Sequence, residues 1–273
     1  MKLLSTANAG EFKNIRYVLT DMDETLTYHG RLSAYTYDAL ERLQNLNFIV
    51  LVVTAAPAGW CDQMARMWPI DGVIAENGGL FIRRENSGNV IRSFWHKEQE
   101  KDAIYQRLLS IAHKVEIKAP KARLANDQPF RLASIAFSKP ENLDERNAIV
   151  EALHSEGVNT TVNNIWIVGW LGDYDKLSMT RRVFHEAYNL DIGAMGDQIV
   201  YSGDSANDAP MFEFFRHSVG VSTVERYLSD IPVPPNWITH GPGGNGFVEI
   251  ADILLSSKDL LWLPPVMQEV FSF

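Results

Sequence analysis

One uninterrupted apolar run, residues 48–53, constrains the fold of this chain more than any other feature. A strand without polar residues needs cover on both faces, which a parallel sheet with helices on either side provides. Strand-like segments also occur at 17–20 and 72–75, and helical apolar spacing separates the three at 34–46 and 58–67. This alternation of strand and helix predicts a doubly wound, Rossmann-like α/β sheet.

The strand–helix rhythm is interrupted in the middle of the chain. From about residue 81, strand-like runs come in pairs between helical stretches, which is typical of an α+β unit with an antiparallel sheet. The first rhythm returns after residue 172. We therefore predict a core domain formed by 1–80 and 172–273, with an α+β cap domain inserted at 81–171. The cap is expected to contain strands at 80–83, 90–95, 115–118, 131–138, 158–162 and 165–169 and helices at 97–113 and 141–156, and the core is expected to end in a helix from Glu249.

Composition narrows the class of protein. The chain has 273 residues and a formal net charge of −9, which argues against a general nucleic-acid binder because phosphate contacts need a basic face. Its one cysteine, Cys61, excludes an internal disulfide and a zinc site built from several thiolates. The longest apolar run is far shorter than the ~20 residues that cross a bilayer, and the start lacks the apolar stretch of a secretory signal. We expect a cytoplasmic protein without nucleic-acid or membrane partners, whose oligomeric state the composition leaves open.

Two acidic motifs directly follow predicted strands. Asp21 and Asp23 come after the strand at 17–20, and Asp204 and Asp208 come after a strand near 199–202. In an open α/β sheet, ligands bind outside the carboxyl ends of the strands, and Mg²⁺ prefers oxygen ligands that include one or two carboxylates. The alternative is that these residues only cap helices and bond loop amides, but it leaves Asp204 unexplained. The pattern therefore favours a magnesium site.

Thr54 and Lys176 are candidate phosphate-binding residues. Thr54 ends the apolar run and is followed by the small residue Ala55, so a hydroxyl and backbone amides are available at a strand end. Lys176 lies just before the first helix after the insertion. Each signal is weak alone, since threonine often ends a strand and a solvated lysine can pair with Asp173 or Asp175.

These four sites, in this order, resemble the haloacid dehalogenase superfamily of phosphotransferases. The matching segments are DMDET at 21–25, Thr54, Lys176 and GDSAND at 203–208. The insertion falls between the second and third motifs, as in the branch with an α/β cap. That branch includes the Cof-type, sucrose-phosphate and mannosyl-3-phosphoglycerate phosphatases, and Glu76-Asn77-Gly78-Gly79 is similar to its sugar-phosphate members. Two departures are Glu24, where glycine is commonest, and the segment 54–57, where the common form is Thr-Gly-Arg.

The resemblance implies a Mg²⁺-dependent phosphatase that hydrolyses a small phosphorylated metabolite, preferably a sugar phosphate. Asp21 is then the nucleophile and Asp23 the general acid and base, while Lys176 balances the phosphate charge. The implied metal site consists of Asp21, Asp23 (through its main-chain carbonyl), Asp204 and Asp208, with Asp208 orienting metal-bound water. We assign Thr54, Ala55, Asn77, Asn207, Arg123 and Arg131 to phosphate or substrate binding.

The last two assignments rest on a basic stretch at 114–131 in the cap. An acidic core would repel a second anionic group, so cations from the cap are expected to bind the leaving-group half of a sugar or sugar-acid phosphate. The alternative is a solvated strand–loop edge. The basic residues of this stretch are Lys114, Lys118, Lys121, Arg123 and Arg131, against the acidic Glu116 and Asp127.

Three other functions remain open at this point. A phosphohexomutase uses the same residues and would require a bisphosphate. A non-catalytic sugar-phosphate binding protein would not need the Asp21 and Asp23 pair. A dehalogenase would not need the carboxylates assigned to Mg²⁺.

Overall fold

The computed structural model describes residues 1–163 and 165–262. Within these ranges the chain forms fourteen strands and seven α-helices, with short 3-10 helices between them. The strands are β1 (Lys2–Leu3), β2 (Tyr17–Thr20), β3 (Thr27–Tyr28), β4 (Arg31–Leu32), β5 (Ile49–Val53), β6 (Gly72–Ala75), β7 (Leu80–Arg84), β8 (Val90–Phe94), β9 (Ser134–Ser138), β10 (Asn159–Val162), β11 (Trp166–Trp170), β12 (Ile199–Gly203), β13 (His217–Gly220) and β14 (Trp237–Ile238). The helices are α1 (Ala34–Asn45), α2 (Ala58–Met67), α3 (Lys101–Lys118), α4 (Leu143–Ser155), α5 (Lys176–Tyr188), α6 (Ala209–Phe214) and α7 (Gly243–Trp262).

A nine-stranded sheet forms the centre of the molecule, in the order β1-β14-β13-β12-β2-β5-β6-β7-β8. In this spatial order, the seven strands from β1 through β14 and β2 to β6 are parallel to their neighbours. Strands β7 and β8 are antiparallel and extend the sheet at one edge. The predicted α/β class is confirmed. Strand β2 pairs with β12 on one side and with β5 on the other, so the order of connection reverses there. Such a reversal opens a crevice at the carboxyl ends of the strands.

Helices cover both faces of the large sheet. On one face α1, α2 and α7 pack against Val50 and Val52 of β5, and on the other face α5 and α6 pack against Leu51 and Val53. These four residues are fully buried, as the apolar run predicted. The Ser33 hydroxyl begins α1 by accepting a hydrogen bond from the amide of Thr36, as expected for an N-cap.

The inserted unit has its own small sheet and core. Its three strands are antiparallel in the order β10-β11-β9, and α3 and α4 pack on one face. The strand expected at 115–118 is wrong, because these residues form the last turn of α3. Val115 continues the buried stripe of Leu108 and Ile111, whereas the alternation that suggested a strand leaves Ile117 67% exposed.

The hairpin of β7 and β8 belongs to the large sheet, whereas the sequence pattern places 81–94 in the cap. We therefore propose that the inserted unit begins after β8, at about residue 95.

The chain leaves and re-enters the core at neighbouring points. His96 Nε2 donates to the Leu171 carbonyl oxygen over 2.7 Å, and Gly78, at a φ of 111°, lies so close to the Asp175 carbonyl that a Cβ would overlap it.

The last helix begins earlier than expected. It was predicted from Glu249, but α7 starts at Gly243, so the glycine-rich segment before Glu249 forms its first turn. Phe247 and Leu254 bury its inner face against α1 and the sheet. None of the described helices, α7 included, combines the length and the hydropathy needed to span a bilayer.

Candidate active site

Polar side chains meet at the carboxyl ends of three adjacent strands. Asp21 follows β2, Asp204 follows β12 and Thr54 follows β5, and their exposures are only 4%, 1% and 1%. The Asp21 amide donates to the Ser202 carbonyl over 2.8 Å, which continues the β2–β12 ladder by one residue. The topology of the sheet thus places the backbones of these three residues at one edge of the sheet.

The carboxylates form a group suited to a hard cation. Each of Asp21, Asp204 and Asp208 offers an oxygen, and the three oxygens lie within 4.8 Å of one another. The Thr25 hydroxyl donates a hydrogen bond to Asp204 Oδ1, with 3.5 Å between the two oxygens. Lys176 supplies one positive charge against these three buried carboxylates, so the remaining negative charge favours a further cation, and oxygen donors are those that Mg²⁺ prefers. The residues therefore fit the metal that the resemblance implies.

Lys176 is buried inside this acidic group. It opens α5, where the side chain of Asp175 accepts a hydrogen bond from the Ser178 amide. Its Nζ donates to Asp21 Oδ1 over 2.8 Å and to Asp208 Oδ1 over 2.6 Å. Burial lowers the pKa of Lys176, but the two carboxylates outweigh that effect and raise the pKa overall. The alternative of a solvated lysine does not fit a residue that is 1% exposed.

Asp208 is held by four donors. Its Oδ1 accepts from Lys176 and from the Tyr201 hydroxyl, and its Oδ2 accepts from the amides of Asp204 and Ser205 over 3.0 and 3.1 Å. With both oxygens engaged, Asp208 is suited to fixing the loop and Lys176. The sequence motifs do not single out Tyr201, although a hydroxyl in the strand that precedes Asp204 is a signal.

Two aspartates of the first motif have raised pKa values. Burial raises the pKa of Asp21 to about 7, and Lys176 partly offsets this effect. Burial likewise raises the pKa of Asp23 to about 6, again against the attraction of Lys176. A carboxyl group with a pKa near the working pH can both donate and accept a proton.

Three further predicted residues, Thr54, Ala55 and Asn207, share a crevice with Asp21 and Asp23, and a fourth, Asn77, is bonded to Thr54. The Thr54 hydroxyl accepts from the Ala56 amide over 3.0 Å, and the Thr54 carbonyl accepts from the amide of Asn77. Asn77 is 4% exposed, and its Oδ1 has no hydrogen-bond partner among the described residues. A narrow crevice brings together residues of both domains: Asp21, Asp23, Thr54, Ala55, Ser205 and Asn207 of the core, with Asn163 and Ile165 from the turn between β10 and β11.

Three basic residues of the stretch at 114–131, namely Lys114, Lys118 and Arg123, bond other groups of the cap. Lys114 and Lys118 both pair with Glu156, at 2.8 and 2.7 Å, on the exposed side of α3 and α4. Arg123 is exposed and donates to the carbonyls of Pro120 and Ala122. Arg123 is absent from the residues that line the crevice, and we propose that it belongs to a solvated surface and does not contact substrate.

Arg131 reaches the core but has other partners there. It is 1% exposed, and its guanidinium donates to both oxygens of Asp127 at 3.1 and 3.0 Å. Its Nη1 also donates to the carbonyl oxygen of Ala55 and to Ser134 Oγ, each at 3.1 Å. Because its donors are used in these contacts, we propose that Arg131 joins the cap to the core and does not bind substrate directly.

Glu76 is the second link between the domains, and sequence analysis gave it no role. It is fully buried, and its Oε1 accepts from the amides of Ala58 and Leu132 over 3.0 and 2.8 Å. Its Oε2 accepts from the Ala133 amide and from Ser134 Oγ over 2.9 and 2.7 Å. We call Glu76 with residues 132–134 the cap latch.

Known proteins are similar to this chain in sequence and in fold. Residues 18–180 match the family model of haloacid dehalogenase-like hydrolases. A phosphoglycolate phosphatase of Methanosarcina mazei is 25% identical over 248 residues, which cover 88% of this chain and 96% of that protein. Protein 0175 of Thermoplasma acidophilum has the same fold, with a TM-score of 0.69 and 18% identity, over 88% of this chain and 99% of its own.

A second solved structure extends the likeness in fold. The sucrose-phosphatase of Synechocystis, solved with sucrose and phosphate, has a TM-score of 0.62 and 12% identity, over 88% of this chain and 98% of its own. The family model covers more than half of the chain and includes the Asp21, Thr54 and Lys176 motifs. The chain belongs to the haloacid dehalogenase-like hydrolases.

Proposed function

We propose that this hydrolase is a Mg²⁺-dependent phosphatase that acts on a small phosphorylated metabolite through an aspartyl-phosphate on Asp21. The observation that carries the proposal is the buried meeting of Asp21, Asp204 and Lys176 beside Thr54. The names of the Methanosarcina and Synechocystis relatives support phosphate-ester hydrolysis.

Asp21 and Asp204 would hold the metal, together with the main-chain carbonyl of Asp23. Asp208 would act through its bonds to Lys176 and to the loop amides. When bound, Mg²⁺ supplies positive charge between the phosphate dianion and the carboxylates, which would otherwise repel each other.

In the first step an oxygen of Asp21 attacks phosphorus, and the bond between phosphorus and the leaving oxygen breaks. Lys176 Nζ, which bonds Asp21 in the free protein, fixes the direction of the attacking carboxylate and balances charge on the equatorial oxygens. The carboxyl group of Asp23 gives its proton to the leaving oxygen. The alcohol then leaves, and a phosphoryl group remains on Asp21.

In the second step water attacks the phosphorus of the aspartyl-phosphate. Asp23, now a carboxylate, takes a proton from that water, and the bond from Asp21 to phosphorus breaks. Thr54 and the amide of Ala55 bind the oxygens of the phosphate that is released. Both domains line the crevice, so the site suits a small substrate better than a folded protein.

The proposal is tested by measuring inorganic phosphate released from a panel of phosphorylated metabolites with Mg²⁺ or with excess chelator. We expect release that requires Mg²⁺ and disappears in Asp21→Asn. Equal release by Asp21→Asn, or full turnover in chelator, would contradict the proposal. Conversion of one phosphate ester into its isomer without phosphate release would identify a mutase instead.

A further inference from the structure

A cavity of about 390 Å³ adjoins the catalytic crevice and lies between the core and the cap. Asp23, Ala55, Asn163 and Ile165 line both spaces. Because Asp23 is the group proposed to protonate the leaving oxygen, whatever is attached to that oxygen extends into this cavity. Its volume lies within the ~300–1,000 Å³ that small-molecule sites occupy.

The walls of the cavity are mainly aromatic and apolar. Trp60 and Trp68 come from α2 and the segment after it, and Trp166 comes from β11 of the cap. Phe130 stacks on Trp60 with ring centroids 5.0 Å apart, yet 47% of Trp60 remains exposed. Indole rings offer flat, polarisable faces on which the C–H surface of a ring can lie.

The polar groups of the walls are largely neutral. Gln63, Asn126 and Asn163 contribute amides, which both donate and accept hydrogen bonds. The Asn163 Oδ1 already accepts from the amides of Ile165 and Trp166, so its NH₂ group is the part left to contact a ligand. Such amides are suited to hydroxyl groups.

The charged groups of the walls are acidic only. Asp23 and Asp127 line the cavity, and Asp127 is neutralised by the buried guanidinium of Arg131. Among the described residues, neither lysine nor arginine lines this cavity. The two nearby cations are already bonded to carboxylates, Arg131 to Asp127 and Lys176 to Asp21 and Asp208. A carboxylate or second phosphate on the leaving group would therefore be desolvated beside Asp23 with no lysine or arginine among these lining residues to pair with.

Building on the proposed function, we infer that the leaving group is an uncharged, hydroxylated ring that lies against the tryptophans of this cavity. The inference excludes sugar acids and short carboxylated substrates such as phosphoglycolate. The inferred substrate of this chain therefore differs from phosphoglycolate, the substrate in the name of its Methanosarcina relative.

The primary test compares substrates that differ by one charge. Glucose 1-phosphate and glucuronic acid 1-phosphate share ring and phosphate, and pairs of other hexose and hexuronic acid phosphates extend the comparison, with phosphoglycolate and acetyl phosphate alongside. We expect kcat/KM to be at least about tenfold higher for the neutral member of each hydrolysed pair. Equal or higher values for the acids would overturn the inference.

Two variants examine the walls directly. Trp166→Ala should lower the ratio of kcat/KM for the best ring ester to that for acetyl phosphate by about tenfold, and Trp166→Phe should restore most of it. Gln63→Lys should raise kcat/KM for the hexuronic acid ester relative to kcat/KM for the neutral ester. The matched controls are Trp95→Phe and Gln44→Lys, which lie outside the lining and should leave both ratios unchanged. Ratios that stay constant in Trp166→Ala and in Gln63→Lys would overturn the inference.

Acetyl phosphate separates the two proposals. If it is hydrolysed in an Asp21-dependent manner but no ring ester is, the inference about the leaving group fails and the proposed function stands. If acetyl phosphate and every ester are left intact, the proposed function fails, and the inference that rests on it fails too.

Discussion

The acidic group of the core and the outer surface of the cap use charged residues in opposite ways. In the core, Lys176 at the start of α5 is buried within hydrogen-bond distance of both Asp21 and Asp208, which follow β2 and β12. In the cap, Lys114 and Glu156 belong to an exposed network on the outer side of two helices. The comparison teaches that the density of charge along a sequence says less about function than the position of a charge relative to the end of a strand.

The largest difference between the domains should come from removing the nucleophile. Asp21→Asn is expected to lower kcat by at least about 10⁴-fold, because the amide cannot form the covalent intermediate. Lys114→Ala in the cap should leave kcat/KM within about twofold, since removal of an exposed ion pair is nearly neutral. Both are measured as steady-state phosphate release, and similar losses in the two variants would contradict the comparison.

Replacing the acid should have a smaller effect with a different signature. Asp23→Asn should lower kcat by about 10²–10⁴-fold, which is the usual contribution of general acid–base catalysis. Mg²⁺ binding should persist, because the proposed ligand from Asp23 is its main-chain carbonyl. Isothermal titration with Mg²⁺ checks this point, and loss of binding in Asp23→Asn would assign the side chain to the metal.

The acidic group of the core should make folding stability depend on Mg²⁺. At 100 times the Kd, a ligand adds ~2.7 kcal/mol to the free energy of unfolding, which is about 5–10 °C in Tm for a chain of this size. Asp204→Asn should abolish that shift, whereas Asp144→Asn on the cap surface should retain it. Thermal melts with and without Mg²⁺ decide the matter, and a shift retained in Asp204→Asn would argue against the site.

Disrupting the cap latch should lower the local stability of residues 132–134. Glu76→Gln replaces a carboxylate oxygen with an NH₂ group that faces the donors of 132–134, at a cost of about 1–3 kcal/mol. Hydrogen exchange at the Leu132 and Ala133 amides should speed up accordingly. Glu85→Gln at the exposed end of β7 is the control, and unchanged exchange in Glu76→Gln would show that the latch is not what holds this segment.

The smallest effect concerns the basic stretch. Arg123→Ala should leave KM within about twofold for the best substrate, because its guanidinium only contacts local carbonyls. A tenfold increase in KM would restore the role in substrate binding that the sequence suggested. Substrate titrations of the variant and the wild-type chain provide the measurement.

The core was predictable from sequence because its topology carries most of the information. Once β2, β5 and β12 are recognised as neighbouring parallel strands, the residues that follow them must meet at one edge of the sheet. Asp21, Thr54 and Asp204 needed no knowledge of packing. Lys176 was harder, since only its place in the order of motifs distinguished it from a solvated lysine.

The cap was less predictable because its contacts join distant segments. Val115-Glu116-Ile117-Lys118 has the alternation of a strand, but packing of Val115 with the buried stripe of α3 decides for a helix. Glu76 and Arg131 are charged residues that a sequence pattern places on the surface or toward a ligand. Only the tertiary structure reveals that their partners are backbone groups and side chains across the domain boundary.

The side-by-side entry and exit of the cap make it a candidate for exchange by protein engineering. Because His96 contacts Leu171, a short linker could replace everything between them without stretching the large sheet. The latch sets the condition for such a graft. Excision would leave Glu76 with the Ala58 amide alone of its four donors, so a transplanted cap must bring a segment equivalent to 132–134, or the recipient must carry a neutral residue at position 76.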